Sequence, residues 1–208
     1  MDGERFGPTQ RGGPVFRWLG EPLAIDLANT VMVVRDDQAV DLIATPGELR
    51  RWLEAERGRL GDYAFEPAHL DEIRALRDAI RELLGAAAAR SELPAQALDR
   101  LNAASAAAPA APQLDGGLVA VERAEDEGSI DWLLGTLARS AIALLAGPER
   151  QQLEVCRAPS CGMFFLGARR WCCAACGNRA RAARHYRRRK LSSSGRGGVT
   201  EAARRGPS

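Results

Sequence analysis

The first 155 residues contain no cysteine, and the stretch from 156 to 190 contains no aspartate or glutamate. Histidine is nearly absent, with two in 208 residues, and aromatics make up only 5%. No run approaches the ~18 uninterrupted apolar residues that a membrane helix needs. No apolar segment follows Met1, so neither a membrane span nor a secretory signal is expected, and the chain reads as cytoplasmic. The sequence has no glycine-rich phosphate loop and no nucleophile elbow. His69, the one histidine outside the cysteine-rich region, has no Ser/Asp or Cys/His signature around it and reads as a surface residue. These absences argue against an enzyme.

All five cysteines fall between Cys156 and Cys176. Cys156 and Cys161 have four residues between them, Cys172 and Cys176 have three, and Cys173 and Cys176 have two. Two short-spaced pairs joined by a longer connection suit a tetrahedral Zn²⁺ site, which takes four soft ligands. A reducing compartment keeps thiols from pairing as disulfides. Gly162 and Gly177 each follow the second cysteine of a pair, where a turn calls for a residue free to take φ > 0. One cysteine is left over. The spacing alone prefers Cys173 to Cys172, because CxxC is the commoner knuckle. His185 is a ligand by residue type, but it lies inside a helical pattern where a DNA-facing role is as easy.

The run Trp171-Cys-Cys-Ala-Ala-Cys-Gly-Asn-Arg-Ala-Arg-Ala-Ala-Arg-His-Tyr-Arg-Arg-Arg-Lys190 resembles the CGNR zinc finger, named for the tetrapeptide seen here as Cys176-Gly177-Asn178-Arg179. The pair Cys156 and Cys161 fits that pattern as well. The resemblance implies zinc on Cys156, Cys161, Cys172 and Cys176, and puts Cys173 where serine is usual. Cys173 then has two readings: a neutral replacement, or a thiol that oxidises readily beside a zinc ligand.

Asn178 reads as the N-cap of a helix beginning at Arg179, since the Ala- and Arg-rich run to Lys190 has no Gly or Pro. Ala182, Ala183 and Tyr186 form a stripe expected to seat it on the knuckles and on Phe164, Phe165 or Trp171. Arg181, Arg184 and Arg188 share another face. Arg179, His185 and Arg187 complete the candidate nucleic-acid contacts. Ten of the 35 residues from 156 to 190 are Arg or Lys. With no acid to balance them, they point to a polyanion, and double-stranded DNA is the expected partner. RNA, with bases stacking on Trp171, Phe164, Phe165 or Tyr186, is the alternative.

The charge of +2 hides an asymmetry: residues 155–208 hold 13 basic residues and one acid, a net of +12, against −10 for residues 1–154. Two modules follow, an acidic body and a basic end. The acidic body is a candidate for folding back over the basic helix. Residues 1–13 and 191–208 read as disordered tails, 14–150 as the body and 151–190 as the finger. In the body, Leu23, Leu27 and Val31 suit a helix buried on one side. Its polar residues Asp26, Asn29 and Thr30 serve as caps or line a pocket. Val31 to Val34 reads as a strand and Asp36-Asp37 as a turn. Thr45-Pro46-Gly47-Glu48 is a helix start, with the stop at Gly58 or Gly61. Leu70, Ile73, Leu76, Ile80, Leu83 and Leu84 mark a long helix from about Pro67 to Ala89. A third helix follows Pro94, and Ala103 to Pro112 reads as a linker. A hairpin turns at Asp115 to Gly117, and a helix capped by Ser129 stops at Gly147-Pro148. The fold class is thus mainly α with a small β-hairpin, followed by the finger and its basic helix.

Leu23-Ala-Ile-Asp-Leu-Ala-Asn-Thr-Val31, then Asp41 to Pro46 and Trp52-Leu53, resemble the ABATE domain commonly joined to this finger. That resemblance implies a stress-induced transcription regulator. The body would then dimerise to a homodimer, sense a small-molecule effector, or both.

Overall fold

The computed structural model describes residue 16, residues 20–33 and residues 38–194, the last four as backbone only. The expected tail at 1–13, the turn at Asp36-Asp37 and the chain past 194 lie outside them.

Six α-helices, two short 3₁₀ helices (Pro67–His69 and Pro148–Gln152) and three two-stranded antiparallel ribbons are found among the described residues. The centre is a short helix, α1 (Leu23–Ala28), in which Ala24, Ile25, Asp26, Leu27 and Ala28 are all buried. It packs against α3 (Leu70–Ala89) and α5 (Ile130–Ala146), and α4 (Ala95–Ala107) lies across the latter two. The apolar residues read from the helical period of α3, Ile73, Leu76, Ile80, Leu83 and Leu84, meet here Leu133 and Leu137 from α5 and Trp52 from α2 (Pro46–Leu60). Amphipathic helices too short to stand alone are stabilised by this shared face.

The punctuation works as its chemistry requires. Thr45 accepts from the Glu48 N–H and the Glu48 carboxylate takes the Thr45 N–H, closing a capping box. Gly61, at φ 76°, ends α2. Ser129 caps α5 by accepting from the Trp132 N–H at 3.0 Å. Near the N-terminus, α1 stops at Ala28 and Val31 already belongs to strand β1 (Val31–Val33), paired with β2 (Ala39–Asp41). Where a linker was expected from Ala103, α4 runs on to Ala107. Alanine favours helix, and proline stops it only at Pro109 and beyond. The hairpin β3 (Ala111–Leu114) and β4 (Ala120–Arg123) turns where Asp115 accepts from the Gly117 and Val119 N–H groups.

The polar residues Asp26, Asn29 and Thr30 are buried at and just after the end of α1. Asp26 takes the Gly20 N–H at 2.8 Å and pairs with Arg59, which also holds the buried Glu56. Burial pushes the Asp26 carboxyl up to about 7, against the pull of Gly20 and Arg59. Thr30 donates to the Leu27 carbonyl, and buried Arg77 grips both oxygens of Asp41 at 2.7 and 3.0 Å. Hydrogen bonds from Arg77 and Ile43 hold the Asp41 carboxyl below its ordinary value despite burial.

Asn29 is the C-cap of α1, as expected of a polar residue at a helix end, and its side chain has a second task. Its side-chain amide donates to the Phe164 carbonyl at 2.9 Å and its oxygen accepts the Phe164 N–H at 2.8 Å, both buried. Phe164 begins strand β6 (Phe164–Leu166), paired with β5 (Leu153–Val155). Along β5–β6, Leu153 and Phe164 belong to the core of the body, while Phe165 faces the cysteines. The ribbon therefore joins the finger to the body through alternation of side chains, a join that no local sequence pattern announces.

Candidate metal centre and basic groove

β5 delivers Cys156 to a tight loop. The Cys156 N–H donates to the Met163 carbonyl at 2.8 Å, and the Gly162 N–H returns to the Cys156 carbonyl at 3.1 Å. Gly162 sits at φ 81°, so glycine meets a backbone need there. Cys161 leaves this loop facing inward. The second pair stands at the start of α6 (Ala174–Ser194), with Cys172 just before the helix and Cys176 in its first turn. The sulfurs of Cys156, Cys161, Cys172 and Cys176 all lie within 4.8 Å of one another. Cys161 and Cys172 are 3.6 Å apart, Cys172 and Cys176 3.4 Å, and Cys176 and Cys161 3.6 Å. A tetrahedron with zinc–sulfur spokes of 2.3 Å has edges of about 3.8 Å, so four free cysteines are arranged as a zinc ion needs them.

The protons of these thiols tell the same story. The hydrogen bond from Cys172 pulls the Cys161 thiol down to about 5. That same bond, with burial, pushes Cys172 far up, and burial pushes Cys176 up as well. Sulfurs this close do not all ionise unless a cation neutralises them, and thiolates are what zinc binds. Zn²⁺ bound here ties the two knuckles together as a closed structural site.

The fifth cysteine falls outside the group of four, against the spacing argument. Cys172 joins the cluster, while Cys173 stands at the N-cap of α6. Its carbonyl accepts the Gly177 N–H at 3.3 Å. Burial opposes ionisation of Cys173, yet hydrogen bonds from the Cys176 and Ala175 N–H groups hold its thiol below the ordinary value. An N-cap wants a short side chain with an acceptor, which is why serine suits this position.

Helix α6 thus begins five residues before Arg179, and the motif Cys176-Gly177-Asn178-Arg179 lies within it. Each member has its own role. Cys176 is in the cluster. Gly177 is helical, and a Cβ on it would lie 3.1 Å from the Trp171 ring, so it is small for packing rather than for a turn. Asn178 accepts from Arg181. Arg179 donates to the Cys176 sulfur at 3.1 Å. Arg179 is thus bonded to the metal site while remaining exposed.

Beyond Ala180, α6 stands in solvent. Of the expected seating stripe Ala182 is exposed, Tyr186 is 70% exposed and only Ala183 is half-buried; Cys176, Gly177 and Ala180 are the buried ones among the described residues of the helix. Every residue from Arg184 to Lys190 is exposed. Arg181, His185 and Arg188 lie outside the groove that runs between α6 and the knuckles. That groove, about 640 Å³, is lined by Arg184 and Arg187 of α6 and by Arg157, Arg169, Arg170 and Trp171. The three knuckle arginines were not singled out from the sequence. The acid-free composition was their signal, but it carries no information on which cations face one another.

Among the described residues no helix is long and apolar enough to cross a membrane. Residues 21–148 match the ABATE family, described as "Putative stress-induced transcription regulator". Residues 152–189 match the CGNR zinc finger. No curated protein matches the chain.

Proposed function

Since the chain belongs to the ABATE family and carries a CGNR zinc finger, we propose that it is a cytoplasmic transcription regulator whose finger binds duplex DNA, chiefly through phosphates. The observation that carries this reading is the exposure of α6 beyond its zinc-anchored first turns, with arginines and no acid. Guanidinium groups bridge phosphate oxygens with paired hydrogen bonds, and a helix of this kind enters a major groove about 12 Å wide. RNA recognition by base stacking finds less support. Phe164 and Phe165 are buried, and Trp171 is half-buried beneath the Arg170 guanidinium, 5.3 Å from its ring centre. Only Tyr186 of the four aromatics is open. To the body we assign dimerisation or the sensing of an effector, and no catalysis. Among its buried polar side chains, Asn29, Thr30 and Arg77 are held by bonds within the fold, and Glu56 bonds Arg59 through one oxygen while the other has no hydrogen-bond partner among the described residues.

The test is binding of the intact, zinc-loaded protein to duplex DNA and to RNA over a salt series, beside a variant with Arg181, Arg184 and Arg188 changed to Ala. Preference for duplex DNA is expected, with a steep salt dependence that flattens in the variant. The slope should fall by about 0.9 for each phosphate left without its arginine. Absence of DNA binding at low salt overturns the proposal.

A further inference from the structure

The groove beside α6 brings together cations from two separate elements. Arg157 follows the ligand Cys156 in the first knuckle, and Arg170 precedes Trp171. Arg184 and Arg187 stand one turn apart on α6, above the buried Ala180. Arg169 is already committed, paired with Glu21 and lying over Phe165. By contrast, Arg157, Arg184 and Arg187 have no ion pair or hydrogen bond among the described residues. Like charges facing an open groove repel one another unless an anion lies between them.

We infer that this groove holds the sugar–phosphate backbone of one DNA strand, with Arg157 gripping it from the knuckle side and Arg184 and Arg187 from the helix side. The inference rests on the DNA-binding reading above and deepens it, turning a single helix face into a two-walled clamp. A strand is the fitting occupant because the cations outnumber what a free phosphate, with about two charges at most, neutralises. A backbone supplies one charge about every 3.4 Å. Both walls are anchored on the same four sulfurs, so the metal sets the width of the clamp. One feature of the lining opposes the occupant. Glu154 on β5 also faces the groove, and its carboxylate repels phosphate.

The decisive comparison is duplex DNA binding over a salt series by the intact, zinc-loaded protein and by Arg157→Ala, Arg157→Lys and Glu154→Gln. Arg157→Ala is expected to lower the salt slope by about 0.9, and Arg157→Lys to keep it, because either cation displaces a counterion. Glu154→Gln is expected to tighten binding several-fold, an effect that damage to the fold does not produce. Zinc content of each variant checks the finger. An unchanged slope in Arg157→Ala, with the wild type binding and its own slope steep, overturns the clamp and leaves the DNA reading intact. A wild type that ignores DNA overturns both.

Discussion

Trp52 and Phe165 are both buried, at 0% and 2% exposure, yet they rest on different supports. Trp52 lies among the aliphatic side chains of a core built from five helices. Phe165 shares its cluster with Cys156, Cys161, Cys176, Ala158 and Met163. Half of the buried members of that smaller cluster are metal ligands. The body is thus held by apolar area removed from water, and the finger by coordination. Between them runs β5–β6, which belongs to both.

Removing the metal breaks this comparison most forcefully. Structural zinc contributes about 10–16 kcal/mol in comparable small fingers. A strong chelator is expected to abolish amide protection at Cys156, Gly162 and Gly177 while Leu83 and Leu137 stay protected, as read by hydrogen exchange. Simultaneous loss in both regions would mean that the body, too, depends on the metal. The converse change is Trp52→Ala, expected to cost the body about 3–5 kcal/mol. Urea unfolding followed beside zinc release should show the body giving way first.

The join itself comes next. Asn29→Ala leaves the Phe164 N–H and carbonyl buried without their partner, at a cost of about 2 kcal/mol. Denaturant unfolding at fixed zinc measures it, and a shift near zero would show that the ribbon holds without the clamp. On the metal side, Arg179→Ala is expected to weaken zinc affinity by about 10- to 100-fold, the range for removing the hydrogen-bond partner of a metal ligand. Competition with a chromophoric chelator reads this directly; unchanged affinity would return Arg179 to the outward arginines.

The last test concerns pH. Asp26 is protonated more readily in the folded protein, at about 7, than at its ordinary 3.8. The native state therefore holds a proton that the unfolded chain releases, and stability falls as pH rises from 3.8 toward 7, then levels. Asp26→Asn is expected to remove that fall, seen as a flatter melting temperature between about pH 5 and pH 8. An equal fall in both proteins would assign it to other groups.

Much of this was legible beforehand because it rests on local chemistry. The Thr45 and Ser129 caps, the Gly61 stop and the apolar face of α3 depend on neighbours within a few residues. Two cysteine pairs announce a metal by spacing alone. The choice between Cys172 and Cys173 was not legible from spacing, since it turns on where α6 begins. Asn178 is an acceptable N-cap by type, but Cys173 occupies that position and draws the helix start forward. Asn29 was readable only as a cap or a pocket residue, because its partner lies far along the chain at Phe164. The groove was hidden for the same reason: Arg157 and Arg187 meet only after the cysteines have brought their elements together.

The continuity of α6 gives it a mechanical property. It is fastened at one end by Cys176 and Ala180 and runs on past Lys190 as one unbroken helix. Beyond the fastening it reaches about 20 Å, at 1.5 Å per residue. A tilt of about 10° at the knuckles therefore carries its far end through roughly 4 Å, close to the ~3.4 Å step between base pairs. The β5–β6 ribbon, gripped by Asn29 of the body, puts Phe165 in the same buried cluster as the Cys176 that fastens this lever.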